Sequence, residues 1–179
     1  MKQYNYRMCT RCVMDTTASE ITFDGDGVCN YCKTYLRNRN RVILNPNRDK
    51  ERDEIVARIK RDGAGKEYDC IIGVSGGVDS TYVAYVVKQL GLRPLAVHLD
   101  NGWNSELAVS NIERTMNAMG LDLYTYVLDW NEFKDLQISF VRSSTPDMEL
   151  PSDHAIRAIL LQMASKMKVK YIIFMQKGF

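Results

Sequence analysis

The sequence lacks any run of apolar residues long enough to cross a bilayer, although 45% of its 179 residues are hydrophobic. Its first twelve residues, MKQYNYRMCTRC, contain no apolar stretch like the one at the centre of a secretory signal. We therefore expect a cytoplasmic protein with no part in a membrane. Thiols stay reduced in that compartment, so the five cysteines are not expected to form disulfides.

The chain also lacks a strong excess of charge of either sign. Its 24 basic and 22 acidic residues leave a formal net charge of +2, so no overall field marks it as a binder of nucleic acid or membranes. The local exception is the segment 33–66, which holds 11 Lys and Arg against 5 Asp and Glu. Such a run is more often a solvated helical face than a binding surface, and nucleic acid is not an expected partner.

From residue 67 onward, short apolar runs alternate with apolar stripes at helical spacing. The pattern predicts strands over 70–74, 95–99, 123–128 and 171–175, and helices over 80–90, 104–119, near 131–142 and over 153–167. A charged helix is predicted earlier, over 49–60. Strand–helix alternation of this kind indicates an α/β domain with parallel strands and right-handed crossovers.

Four of the cysteines form two CxxC pairs. Cys9 and Cys12 are separated from Cys29 and Cys32 by sixteen intervening residues. Two such knuckles can bring four thiolates to one tetrahedral Zn²⁺, and because this set leaves no open coordination position, its predicted role is structural. Redox-active dithiols are the alternative. Cys70 is interpreted as a small buried residue of the first strand.

The stretch SGGVDS, residues 75–80, joins the first predicted strand to the next helix. Its glycines have no Cβ, so a ligand can approach their amides, and the start of a helix favours an anion. Its two serine hydroxyls are suited to a phosphate group. The stretch is neither a Walker A loop nor a GxGxxG loop. Asp79 is expected to hold Mg²⁺ or to cap the helix, and Mg²⁺ is the favoured interpretation.

Two later stretches supply further polar candidates. The second strand runs into HLDNGWN, and ligands of doubly wound sheets bind beyond the carboxyl ends of the strands. Asp100 and Asn101 should therefore face the same crevice as SGGVDS. The stretch PSDHAI opens a helix that Asp153 can cap, and His154 is a candidate for the cleft, although a lone histidine there is more often structural.

SGGVDS in its strand–loop–helix context resembles the SGGxDS signature of PP-loop ATP enzymes. Taken in order, CTRC and CNYC, YDCIIGVSGGVDSTY, HLDNGWNSE and DHAI resemble the N-acetyl sugar amidotransferase family, of the WbpG and PseA type. The resemblance extends from about residue 4 to about residue 175. It implies a HUP-like, doubly wound parallel sheet preceded by a small zinc-binding module.

The resemblance implies three regions: a four-cysteine zinc module over 1–34, a basic linker and helix over 35–66, and the N-terminal part of a PP-loop domain over 67–179. Family members are considerably longer and continue beyond the fourth strand. We therefore expect a truncated chain with an incomplete domain, an exposed apolar fourth strand, and weak or absent catalysis.

The implied reaction converts an acetamido group on a nucleotide-linked sugar to an acetamidino group, for surface polysaccharide (LPS O-antigen) or flagellin glycan biosynthesis. ATP adenylates the amide oxygen, ammonia attacks the activated carbon, and AMP leaves. The implied cofactors are ATP, Mg²⁺ and structural Zn²⁺. The predicted catalytic residues are Asp79, Ser80, Asp100 and His154; those predicted to bind ATP are Ser75, Gly76, Gly77, Val78, Asp79, Ser80, Asp100 and Asn101.

A chain that made its own ammonia from glutamine would need a nucleophilic cysteine, and here four cysteines are assigned to zinc and the fifth to a strand. The resemblance implies separate ammonia-supplying subunits, similar to the glutaminase and cyclase halves of imidazole glycerol phosphate synthase. Two alternatives stay open. One is a tRNA-thiolating PP-loop enzyme, although such enzymes usually need cysteines near the ATP site. The other is a non-catalytic fragment that binds zinc and nucleotide.

Overall fold

The computed structural model describes residues 5–174. The chain divides into two compact units, one reaching to Asp53 and the other beginning at Glu54. The described residues form ten elements: α1 (Asn30–Val42), α2 (Arg48–Asp62), β1 (Cys70–Gly73), α3 (Val78–Gln89), β2 (Pro94–Asp100), α4 (Glu106–Ala118), β3 (Leu123–Val127), α5 (Trp130–Arg142), α6 (Leu150–Lys166) and β4 (Ile172–Ile173). The domain boundaries at 34 and 66 stay predictions.

The second unit is built on a parallel sheet with the strand order β3-β2-β1-β4. In its middle, Ile71 of β1 lies opposite Leu95 of β2 and Ile172 of β4. The strand that comes first in the sequence, β1, lies inside the sheet. The next two, β2 and β3, follow on one side and β4 lies on the other, which is the doubly wound arrangement. The predicted α/β class with a parallel sheet is confirmed.

Neighbouring residues of β1 enter two different cores, because successive side chains of a strand point to opposite faces. Ile72 packs with Ala84 of α3 and Ile112 of α4. Ile71 packs on the other face with Leu160 of α6. Both isoleucines are fully buried. Helices therefore cover both faces of the central strand, and this explains why its sequence is a continuous apolar run.

Three elements differ from the sequence-based expectation. The sequence did not predict α1, a basic helix that buries a single residue, Cys32. The helix α6 begins at Leu150 rather than at 153, with Pro151 in its first turn, where a missing N–H costs nothing. Asp153 therefore lies inside the helix instead of capping it. The fourth strand, expected over 171–175, is the short β4, and Met175 lies outside the described residues.

No helix within residues 5–174 is both long enough and apolar enough to cross a membrane. The cytoplasmic location stays a prediction.

An ion pair between the buried Asp69 and the half-exposed Arg93 joins the start of β1 to the start of β2. The Asp69 side chain is 3% exposed, and its Oδ1 accepts a hydrogen bond of 2.6 Å from Nη2 of Arg93. The same guanidinium donates to the carbonyls of Gly63 and Lys66, so it also holds the connection that enters β1. Burial alone would raise the pKa of Asp69, but the hydrogen bonds from Arg93 outweigh it and hold the pKa below its ordinary value.

We predict that Asp69→Asn lowers the free energy of unfolding by about 2 kcal/mol at neutral pH, because it removes a charged, buried hydrogen-bond acceptor. The pKa of this carboxyl is lower in the folded than in the unfolded chain. Its stabilisation is therefore complete above about pH 4 and is lost as the pH falls through the folded value. Urea unfolding at pH 7 and at lower pH measures both effects. The exposed Asp135 gives the control variant Asp135→Asn, and equal losses in the two variants would contradict the prediction.

Candidate active site and metal centre

The four cysteines of the CxxC pairs converge in the first unit. Their sulfur atoms all lie within 4.8 Å of one another, and Cys9, Cys29 and Cys32 are buried while Cys12 is half-buried. The Sγ atoms of Cys12 and Cys29 are 3.7 Å apart. A soft metal that accepts four thiolates in a tetrahedron fits this donor set, as Zn²⁺ does. The predicted four-cysteine cluster is confirmed as a group that could hold zinc.

Backbone amides donate hydrogen bonds to sulfur in this cluster and favour the charged thiolate form. The amide of Cys29 donates to Sγ of Cys9 at 3.2 Å, and the amide of Arg11 donates to the same sulfur at 3.4 Å. Burial alone would raise the pKa of Cys9, but these amides lower it to about 6. Hydrogen bonding with its neighbouring thiols, that of Cys12 first, raises the pKa of Cys32 to about 12. Four thiolates at this distance therefore need a cation between them.

The chain around the cluster offers little else to hold it. Around the cluster, two isolated β-bridges pair the main chain, Met8 with Asp15 and Phe23 with Cys29. Gly27 has a φ of +80°, and a Cβ there would lie 2.7 Å from the side chain of Thr10, so only glycine allows this turn. The apolar side chains packed here are few. A metal would therefore contribute much of the folding free energy of this module.

We predict that the chain binds a single zinc ion and that Cys29→Ala abolishes this binding, because three thiolates leave the tetrahedron incomplete. Metal analysis after dialysis gives the zinc content, and limited proteolysis reports whether residues 5–53 stay folded. Cys70→Ala is the matched control, since Cys70 lies fully buried in β1, away from the cluster. Equal zinc contents in the two variants would contradict a site built from the four clustered cysteines.

The SGGVDS loop leaves β1 and enters α3 without a side-chain cap. Gly77 is the N-cap residue of α3, and among residues 5–174 no side-chain cap bonds to the first turn. Thr81 donates to the carbonyl of Gly77 and closes this turn. The amides that precede Thr81 in the helix are the ones that every helix leaves without a backbone partner. They are therefore available to an anion at this end of α3.

Ser80 is used inside the loop. Its hydroxyl donates to the carbonyl of Gly77 at 3.1 Å and accepts from the amide of Ser75 at the same distance. The hydroxyls of Ser75 and Ser80 are 3.2 Å apart. Ser80 is 8% exposed, whereas Ser75 is exposed. In this conformation Ser80 shapes the loop, and Ser75 is the serine whose hydroxyl reaches the surface. A phosphate contact for either residue stays a prediction.

The two glycines of the loop differ in backbone conformation and in the space around them. Gly76 has a φ of +75°, and a Cβ there would lie 3.0 Å from Cγ1 of Ile112, so the fold itself requires glycine. Gly77 has an extended backbone, with a φ of −78°. A Cβ on Gly77 would meet only the Ser75 hydroxyl, at an ordinary 3.6 Å. Packing within the protein does not explain the second glycine, and the open space beside its backbone is suited to a ligand.

We predict that Gly76→Ala lowers the free energy of unfolding by about 1–3 kcal/mol, because alanine is strained at a positive φ and would press against Ile112. Gly77→Ala, one residue along, should change it by less than about 0.5 kcal/mol. Thermal and urea unfolding of the two variants measure the difference. Similar losses in both would mean that the second glycine also serves packing.

Asp79 lies in the first turn of α3, and its side chain is exposed. Within the part of the chain that the structure describes, its carboxylate accepts no hydrogen bond, and the helix cap is Gly77 rather than Asp79. Capping therefore does not account for Asp79 in this structure. The magnesium role stays a prediction. Val78, next to it, is 84% exposed.

The loop after β2 brings Asp100 and Asn101 to the edge of the sheet where SGGVDS lies. Oδ1 of Asp100 accepts from the amide of Gly102 at 3.0 Å. Nδ2 of Asn101 donates to Oγ of Ser152, in the first turn of α6, at 3.4 Å. The loop is thus tied to the start of α6. Ser152 is 3% exposed, and the sequence analysis missed it because a serine beside a proline is an ordinary helix start.

The structure does not bring His154 into this network. Its side chain is exposed and forms no hydrogen bond with another described residue. The histidine that is engaged is His98 of β2, which is 3% exposed and lies 3.0 Å from the carbonyl oxygen of Val74, through Nδ1. His98 is not among the site residues predicted from the sequence. The signal was there, since a single polar side chain interrupts the apolar run PLAVHL.

The known proteins that this chain resembles are similar to it over only part of its length. No protein-family model matches. The chain is 30% identical over 133 residues to the uncharacterized protein MJ1599 of Methanocaldococcus jannaschii, which covers 71% of this chain and 45% of that protein. A segment of 71 residues is 34% identical to tRNA(Ile)-lysidine synthase of Chlamydia pneumoniae, covering 37% and 22% of the two chains. The chain spans less than half the length of these curated relatives.

Among solved structures, the chain is similar to a glutamine-dependent NAD⁺ synthetase from Acinetobacter baumannii in complex with ADP. The TM-score is 0.52 at 18% identity, over 66% of this chain and 22% of that one. The chain shares the fold of this part of the NAD⁺ synthetase. At this identity the likeness concerns the fold alone. It confirms the fold class predicted from SGGVDS and its flanking strand and helix.

Proposed function

We propose that this chain is the ATP-binding part of an N-acetyl sugar amidotransferase. The observation that carries the proposal is the loop of residues 75–80, where the first turn of α3 has no side-chain cap and the space beside Gly77 is open. Free amides at a helix start suit the phosphates of ATP. The fold of an NAD⁺ synthetase solved with ADP supports a nucleotide as the ligand.

The chemistry begins at the pyrophosphate. The oxygen of the acetamido group attacks the α-phosphorus of ATP, and the bond from that phosphorus to the bridging oxygen breaks. The amides of the loop would hold the leaving pyrophosphate and stabilise its growing negative charge. Asp79 and Asp100 are the carboxylates that would hold Mg²⁺, whose charge neutralises the phosphates when it is bound.

The activated carbon is then attacked by ammonia. A carbon–nitrogen bond forms, the carbon–oxygen bond breaks, and the original amide oxygen leaves with AMP as an acetamidino sugar is produced. As ammonia becomes the new nitrogen of the amidinium group, it loses one proton to solvent. With that proton counted, the two steps balance with ATP and ammonia as the only co-reactants. The acceptor class, a nucleotide-linked acetamido sugar for surface glycans, rests on the resemblance of the four motifs.

The ammonia would come from separate glutaminase and cyclase-like subunits. A glutaminase needs a cysteine that reaches its substrate as a thiolate. Burial, together with the charge of Asp69, raises the pKa of Cys70 to about 12, and the side chain is fully buried. The other four cysteines belong to the metal cluster. These properties support an external source of ammonia.

A second candidate, a tRNA-modifying enzyme, is favoured by α1. This helix carries four basic residues and no acidic one, and Tyr31 and Tyr35 on it are exposed. The guanidinium of Arg11 lies 5.9 Å from the centre of the Tyr35 ring. Basic and aromatic side chains together suit RNA phosphates and bases. One relative is a tRNA(Ile)-lysidine synthase. A chain that binds nucleotide without turnover is the third candidate.

Catalysis by this chain is expected to be weak or absent, and we predict that any AMP it forms from Mg-ATP and ammonium requires a UDP-linked acetamido sugar. The sugar should lose oxygen and gain NH, as measured by mass spectrometry. Asp79→Asn should reduce AMP formation by about a hundredfold, because phosphate charge is neutralised less well. Gly77→Ala should weaken ATP binding by about tenfold, because its methyl group fills the space at the loop.

Asp135→Asn, which changes an exposed aspartate of α5, controls for the charge change and should keep full activity. AMP formation that requires tRNA instead of sugar would reject the first proposal in favour of the second. Tight binding of ATP with no AMP under any condition would favour the third.

A further inference from the structure

A continuous chain of hydrogen bonds links the two loops of the candidate site. The carbonyl oxygen of Val74 lies 3.0 Å from Nδ1 of His98. Nε2 of the same ring lies 3.4 Å from Nδ2 of Asn104. Nδ2 of Asn104 also donates to Oδ1 of Asp100, at 3.4 Å. Val74 directly precedes SGGVDS, and Asp100 opens the loop after β2.

The hydrogen-bond partners at the two ends determine which atoms of this network carry the hydrogens. A carbonyl oxygen only accepts, so Nδ1 of His98 carries the hydrogen that it donates to Val74. The amide orientation of Asn104 is set independently, because a carboxylate also only accepts and Asp100 must face the NH₂ group. Nε2 of His98 faces the same NH₂ group, so it accepts from Asn104. The hydrogen-bond geometry therefore places the hydrogen of the ring on Nδ1.

The burial of the His98 ring strengthens these hydrogen bonds. His98 is 3% exposed, so water cannot replace a lost partner, and hydrogen bonds shielded from water are strengthened. The amide of Val74 donates to the carbonyl of Val97 at 2.9 Å. Val74 is thus held on both its amide and its carbonyl by adjacent residues of β2, at the point where the chain leaves the sheet.

We propose that His98 is a positioning residue that holds the SGGVDS loop and the loop after β2 in one fixed relation. Its imidazole ring fixes the position of the loop amides relative to the Asp100 carboxylate. That ATP is the ligand placed between them rests on the proposed function, whereas the tether itself does not. An apolar residue in its place would leave the Val74 carbonyl unpaired and would leave the Asn104 amide with Asp100 as its remaining partner.

Two substitutions separate the two bonds. The side-chain amide of asparagine can take the place of Nδ1, so His98→Asn should keep the bond to Val74 and lose the one to Asn104. The longer glutamine can reach the place of Nε2, so His98→Gln should do the reverse. Thr125→Ala is the matched control, because Thr125 is the exposed partner of His98 in register on β3.

Hydrogen exchange of the full-length chain, followed by mass spectrometry, tests the proposal. In His98→Asn we expect exchange to become about three- to tenfold faster over residues 100–104 only, and in His98→Gln over 74–80 only. The control should change neither segment. Nitrogen chemical shifts of the ring should show the hydrogen on Nδ1, and with two histidines in the chain a His154→Gln sample assigns them.

Exchange that is faster throughout the unit in both variants, or unchanged in both segments, would overturn the tether and leave His98 as a packing residue. A ring with its hydrogen on Nε2 would also overturn it. Mg-ATP binding by the wild-type chain is measured separately. If the reciprocal exchange pattern appears and ATP does not bind, the proposed function fails while the tether stands.

Discussion

The parallel pairing of β1 with β2 is the constraint on which the candidate site depends. Its register runs from Cys70 opposite Pro94 to Gly73 opposite Val97. Parallel strands end at the same edge of a sheet, so this one pairing brings two loops together that are far apart in the sequence. The apolar faces of β1, covered by helices on both sides, hold that edge in place. A shift in register would separate the Asp100 loop from the glycine loop.

Much of the fold was predictable from the sequence because its signals are local. The apolar run around Ile71 and Ile72, the glycines after α3 and α4 and the SGGVDS stretch each act within a few residues, and each predicted its element. The four-cysteine cluster was predictable for a different reason. A cysteine pair at CxxC spacing has few structural uses, so two of them together point to one metal.

What the sequence could not predict depends on contacts between distant residues. The helix α1 buries only Cys32, and it starts at the knuckle that ends in this residue, so its formation depends on the cluster. His98 is visible in the sequence as a polar residue in an apolar run, but its partner Val74 is known only from the fold, as is the partner of Ser152, Asn101. The same applies to Ser80, whose hydroxyl turned out to be engaged within its own loop.

The hydrogen bonds of Ser80 have an entropic consequence. They hold the glycine loop in its curved shape before any ligand arrives, together with the fixed φ of Gly76. A loop that is already ordered loses little conformational freedom when it binds, so less of the interaction energy is spent on ordering the backbone. Association should then be limited by diffusion and by displacement of water, rather than by a slow rearrangement of the protein.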